Sequence, residues 1–241
     1  PTLIQEQNSY PGLTNKLLSR NVEIIAVAYR GLERFFPKEK LNLTGNPIRK
    51  SIVNSNLNTT EAKAFFNQMD GKPTLVVLGG SLGARRINQL IAAQQKTFKK
   101  YGVQLIWQCG SLYYDEYKKY KSEQVKIMPF INEMDQLYAA ADFVITRSGA
   151  ATLSELCCAA CPALLIPSPN VAGNHQYFNA KALADNGAAY VIKEKDLDQN
   201  FEKVFIQLLD SKNRQEMSKK LKKLAQPQAT SKIVNLVEAL L

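Results

Sequence analysis

Histidine and tryptophan are nearly absent from this 241-residue chain, with one of each, and cysteine is scarce, with four. The cysteines do not divide into ligand pairs. Cys157, Cys158 and Cys161 fall together in the apolar stretch LSELCCAAC, where thiols behave as small buried apolar groups. Cys109 with His175 offers no usual zinc spacing, so no metal is expected. There is no run of about 18 apolar residues to span a bilayer. The opening PTLIQEQNSY also lacks the basic-then-apolar order of a secretory signal. A soluble, cytoplasmic protein is expected, in which the Asn-x-Thr triplets at 42–44 and 58–60 carry no sugar.

Acidic residues are also short, 21 against 31 basic ones, for a formal charge of +10. The clusters KTFKKY, EYKKYK and KNRQEMSKKLKKL are in the first place solvated helix faces, and such a surface also suits anionic lipid heads. Without an aromatic-interleaved basic motif or a zinc-finger spacing, nucleic acid is not an expected partner. Two phosphate-binding signatures are missing too. The turn GGSLGA is not the dinucleotide G-x-G-x-x-G, and the strand after it ends in Gln108 and Cys109 rather than in an acid. Gly-Ala-Arg stands where a Walker loop requires Gly-Lys-Ser/Thr. NAD and, by that route, ATP are disfavoured.

What is present is 45% hydrophobic content, enough for one large domain or for one domain and part of another. From Lys72 onward the strand-like runs PTLVVLG, VQLIWQC, VKIMPF, DFVITRS, PALLIPS and AAYVIK alternate with segments of helical spacing. Nearly all-apolar strands separated by helices predict a parallel sheet covered on both faces, a doubly wound α/β domain. Its ligand belongs outside the carboxyl ends of the strands. Before it, PTLIQ, EIIAVAY and LNLTGNP supply two or three strands, too few to close a core. The expected division is 1–46 as the remnant of another domain whose front is missing, 47–71 as a linker, 72–225 as the main domain, and 226–241 as a C-terminal helix.

Three motifs sit at predicted strand ends. In GGSLGA, Gly80, Ser81, Gly83 and Ala84 lead into a helix whose backbone N–H groups and dipole suit a diphosphate; a plain tight turn is the competing reading. In TRSGAATLSE, Thr152 and Glu155 lie three apart on one helix face. The carboxylate there either complements the helix start or accepts hydrogen bonds from a ribose diol. In NVAGNHQYFNA, Gln176 and Asn179 share a face, as helix caps or as partners for sugar hydroxyls. His175, the lone histidine, reads as structural.

In this order EQNSYPGLTNK, TGNPIR, GGSLGARRIN, FINEM, RSGAATLSE, HQYFNA and GAA resemble the MurG family of bacterial glycosyltransferases. The resemblance implies the two-domain GT-B fold, with Rossmann-like domains, and transfer of N-acetylglucosamine from UDP-N-acetylglucosamine (UDP-GlcNAc) to lipid I. The product, lipid II, serves peptidoglycan synthesis at the cytoplasmic face of the inner membrane. No cofactor or metal is implied beyond the donor substrate. By resemblance the turn from Gly80 to Ala84 meets the diphosphate with Ser81, and Arg49 of GNPIR adds a positive charge. Ile131 meets uracil through its backbone, Glu155 the ribose hydroxyls, and Gln176 the sugar, assisted by Asn8 across the cleft. Ala150, Ala151 and Thr152 line the donor pocket. The family's glycine-rich front motifs, with their histidine, have no match in this chain, and no residue stands out as a base. A donor-binding fragment, inactive alone, is expected, with lipid I bound through the missing domain and an anionic membrane surface as a further partner. A UDP-sugar-binding subunit of a split transferase, or another UDP-GlcNAc enzyme of the same fold such as an epimerase, are the alternatives.

Overall fold

Short branched apolar runs become strands in two separate parallel sheets in the computed structural model, which describes residues 1–241. In the first, β1 (Leu3–Glu6), β2 (Ile24–Val27) and β3 (Leu41–Leu43) pair in that order, with α1 (Leu13–Leu18) between β1 and β2. Ile4, Val22, Ile25, Val27, Leu32 and Phe36 make its small core.

The chain continues through α2 (Lys50–Val53) and α3 (Thr59–Phe65) into the second sheet. There β4 (Thr74–Leu78) leads to α4 (Arg85–Ala93) and α5 (Gln95–Lys100), and β5 (Gln104–Gln108) to α6 (Tyr114–Tyr117). β6 (Val125–Met128) leads to α7 (Met134–Ala140), β7 (Phe143–Thr146) to α8 (Ala150–Ala159), and β8 (Ala163–Leu165) to α9 (His175–Ala184). After β9 (Tyr190–Val191) come α10 (Leu197–Leu209), α11 (Ser211–Leu224) and α12 (Ala229–Glu238). The strand order is β6-β5-β4-β7-β8-β9, every neighbouring pair parallel. Crossovers therefore run outward in opposite directions from β4 and β7. Between these two strands the helices covering the carboxyl edge diverge, and a crevice opens there. No helix is long and apolar enough to cross a membrane.

Residues 47–71 are not the linker that their polar composition suggests. Ile52, Ala62 and Phe66 are buried in the main core, and α2 and α3 pack on α8 and α7. Ala62 and Phe66 lie four apart, one helical turn, so a mostly polar segment still presents an apolar stripe. Lys63 anchors α3 from below: its buried ammonium donates to Asp142 at 2.9 Å and to the Lys72 carbonyl at 3.0 Å. The same Asp142 oxygen accepts the Thr74 N–H at 2.8 Å, at the start of β4. At the far end the chain returns to the first sheet, where Gly45, at φ +87°, passes so close to Gln226 that a Cβ on it would lie 2.3 Å from the Gln226 Cβ.

Asp142→Ala leaves the Lys63 ammonium buried without its counter-charge. It is expected to lower stability by about 2–3 kcal/mol. Asp115→Ala, which breaks an exposed pair with Lys118, should change stability by less than about 0.5 kcal/mol. Chemical denaturation of both variants checks the difference.

Candidate functional site

The turn at 79–84 is held against the end of β5 by glycine contacts. Gly83 has φ +82°, and a Cβ there would lie 2.1 Å from the Cys109 carbonyl oxygen. Gly110, at φ +89°, meets it from the other side, its would-be Cβ 2.5 Å from the Gly83 Cα. Hydrogen bonds then lock the two strand ends together. The fully buried Asn88 of α4 donates to the Cys109 carbonyl at 2.8 Å and accepts from the Trp107 indole at 2.9 Å. Gln108 donates to the Gly80 carbonyl at 3.0 Å and accepts the Ile131 N–H at 2.9 Å. One side chain thus joins the glycine turn to the FINEM loop.

Gly80 and Ser81 remain exposed at the tip of this turn. Behind them α4 starts with no side-chain cap and no acid in its first turn, and the same holds for α8 and α9. All three helices begin at the carboxyl edge of the sheet, after β4, β7 and β8. At α4 and α8 the first-turn N–H groups and positive dipole ends are left for an anion, whereas at α9 the His175 N–H is already bonded to the Ala172 carbonyl.

Beside the turn lies a crevice of about 450 Å³ whose walls include Gly83, Ala84, Arg85, Arg147, Ser168 and Gln176. Gln176 is oriented from both ends: its backbone carbonyl accepts from Ser148 Oγ at 2.8 Å, and its side-chain oxygen accepts the Ser168 N–H at 2.9 Å. Its side-chain NH2 makes no protein hydrogen bond and stays available as a donor. Arg147 donates to the Ile166 carbonyl at 3.1 Å and pairs with Glu194. Arg86 pairs with Asp198 at 2.7 Å, whereas Arg85 has no carboxylate partner and lies 6.0 Å from the Tyr113 ring.

A second group forms around the first turns of α8. Ala150 is buried, Ala151 exposed and Thr152 half-buried. Glu155 accepts a hydrogen bond from the Tyr138 hydroxyl at 3.0 Å. Burial pushes the Glu155 carboxyl above the usual range, against the downward pull of that hydrogen bond and of the Arg49 charge. Tyr138 is pushed well above its usual value by its own burial and by the neighbouring carboxylate.

The geometry gives several of the expected residues partners within the protein. Arg49 donates to the Asn132 carbonyl at 3.3 Å and its charge acts on Glu155, while the arginines lining the crevice beside the turn are Arg85, Arg86 and Arg147. Ile131 has its N–H committed to Gln108, so only its carbonyl is left for a base. Asn179 is fully buried, accepting the Ser9 N–H at 2.8 Å and donating to Asn8 at 2.9 Å, and Asn8 in turn donates to Glu6 at 3.1 Å. Because α9 packs under the loop after β1, these two amides tie the units together and neither lines the crevice. His175 holds its own loop through the Ala172 carbonyl at 2.8 Å.

Gln108, Arg147 and Tyr138 were not anticipated. Gln108 carried a signal, an amide closing the apolar run Leu105–Trp107 at a strand end. Arg147 stood unread beside the Ser148 and Gly149 of a motif already singled out.

A six-stranded parallel sheet with uncapped helix starts around its switch point, joined to a second parallel sheet, is the architecture of a GT-B glycosyltransferase. Residues 74–234 match the model of the glycosyltransferase family 28 C-terminal domain, and the chain belongs to this family. It is 51% identical over 242 residues to the UDP-N-acetylglucosamine--N-acetylmuramyl-(pentapeptide) pyrophosphoryl-undecaprenol N-acetylglucosamine transferase of Christiangramia forsetii, covering 100% of this chain and 66% of that protein. With the protein of the same name from Flavobacterium psychrophilum it shares 51% over 236 residues, 97% of this chain and 64% of that one. Among solved structures, Acinetobacter baumannii MurG matches with a TM-score of 0.81 at 30% identity, over 99% of this chain and 67% of that chain. The chain thus spans about two thirds of the length of these relatives.

The raised Glu155 pKa sets a pH dependence. A carboxyl that ionises less readily folded than unfolded, where its pKa is about 4.3, opposes folding once the pH rises above that value. Glu155→Gln is therefore expected to raise Tm at pH 7, with the gain shrinking toward pH 4. Thermal melts of both proteins at the two pH values check this, and an equal gain at both would contradict it.

Proposed function

We propose that this chain is the donor-binding part of an inverting glycosyltransferase that moves N-acetylglucosamine from UDP-GlcNAc to lipid I, giving lipid II at the cytoplasmic face of the membrane. The observation that carries the reading is the pair of uncapped, acid-free helix starts at the switch point, with Glu155 little more than one helical turn inside the second. A diphosphate and a ribose diol need those two features side by side. The Gly80, Ser81, Gly83 and Ala84 turn holds the diphosphate, and Arg85 and Arg147 add positive charge from the crevice wall. The Ile131 carbonyl receives the uracil N–H, Glu155 the ribose hydroxyls, and the free amide of Gln176 meets the sugar. Ala150, Ala151 and Thr152 line the pocket. Asn8 and Asn179 support this from behind, by fixing the loop and helix on which it is built.

In the reaction an acceptor hydroxyl attacks the anomeric carbon while the bond to the β-phosphate oxygen breaks, with inversion. Negative charge grows on the departing diphosphate, where helix N-termini and arginines stabilise it without a metal. The attacking hydroxyl also needs a base. By the resemblance, the base and the lipid I contacts are assigned to the family's front motifs, which have no match in this chain. The net charge of +10 favours residence at an anionic membrane surface.

Calorimetric titration tests the reading. UDP and UDP-GlcNAc are expected to bind at least tenfold more tightly than ADP or NAD, and Glu155→Ala should weaken uridine binding about tenfold, roughly 1.4 kcal/mol. Preference for ADP or NAD would overturn it. Lipid II formation by the chain alone would overturn the assignment of the base.

A further inference from the structure

A second cavity, of about 540 Å³, lies in the joint between the two sheets and shares no wall residue with the crevice at the glycine turn. Its size is that of a small-molecule site. The loops after β2 and β3 close it on one side, and α8, α9 and the end of α11 on the other.

The wall divides by chemistry. Leu153, Cys157, Phe178 and Leu183 give it an apolar side. Burial pushes the Cys157 thiol up to about 12, so it is uncharged at neutral pH. Arg30, Arg34, Lys181 and Lys223 are its cations, and Asp185 is its acid. Asp185 is taken by Lys181 at 2.7 Å, which leaves Arg30, Arg34 and Lys223 with no carboxylate partner. Ser9 also borders the cavity, and its hydroxyl is buried with no hydrogen-bond partner.

We propose that this cavity binds a small organic phosphate, its dianionic head between Arg30, Arg34 and Lys223 and its apolar body on Leu153, Cys157 and Phe178. Three uncompensated cations match a phosphate monoester better than a single carboxylate. The ligand touches both units at once, Arg30 and Arg34 on the first and Phe178 and Lys223 on the second. This site does not rest on the donor assignment.

The test uses 1-naphthyl phosphate as probe, titrated calorimetrically into the chain, with 1-naphthol, inorganic phosphate and phosphatidylglycerol vesicles in parallel. The expected result is saturable binding at one site, at least tenfold tighter than either naphthol or phosphate. It should weaken at least tenfold in the Arg34→Glu, Lys223→Glu double variant, whose changes are on exposed side chains and whose fold is checked by its melting curve. Glu155→Ala should leave it unchanged. Absence of saturable binding, indifference to the charge reversal, competition by UDP, or binding of the vesicles without the soluble ester would each overturn the proposal.

Discussion

The approach of Gly83 to the end of β5 is the contact on which the crevice depends. With a Cβ position 2.1 Å from the Cys109 carbonyl oxygen, no side chain fits, and the turn can lie flat on the strand end only because it has none. That closeness sets where α4 begins. Asn88 and Gln108 then hold the arrangement with buried amide hydrogen bonds, and Gln108 carries the constraint on to Ile131. Three loops that are far apart in sequence are thereby placed in one rigid surface.

The joint between the two sheets is built differently. Asn179 bonds Ser9 and Asn8, and Asn46 donates to Ser154 at 3.1 Å. Tyr10 stacks on Phe178 with ring centroids 4.9 Å apart and meets Phe35 edge-on at 5.2 Å. Directional amides and one aromatic stack specify how the units meet without merging their cores, which remain separate clusters. A joint of this kind resembles a polar interface more than a domain interior, and it encloses an open cavity.

Charge is sorted with the same economy. The helix starts at the crevice are free of acids, Glu194 on its wall is held by Arg147, and Asp198 is held by the wall's Arg86. Glu155 is the exception, a half-buried carboxylate steadied by Tyr138 and by the charge of Arg49. The anion-attracting edge and the single carboxylate behind it are thus kept apart by one turn of α8.

Much of this was legible in the sequence. Runs such as TLVVL and FVIT are apolar on both faces, which only a covered parallel strand requires, so the strands of both sheets and the motifs at their ends could be placed without coordinates. Lys50 to Phe66 could not, because the apolar side chains that its two short helices bury are only Ile52, Ala62 and Phe66 among polar neighbours, too sparse a pattern to tell from a linker. Arg49, Asn8 and Asn179 marked a site by their type, but type does not say which partner lies within 3 Å. The sequence by itself determined the periodicity, the turn chemistry and the excess of positive charge, since these are local. Only the tertiary structure decided that Arg49 stands by Glu155, that Asn179 ties the joint and that Gln108 bridges two loops, because each interaction there joins residues brought together by packing over tens of positions of chain.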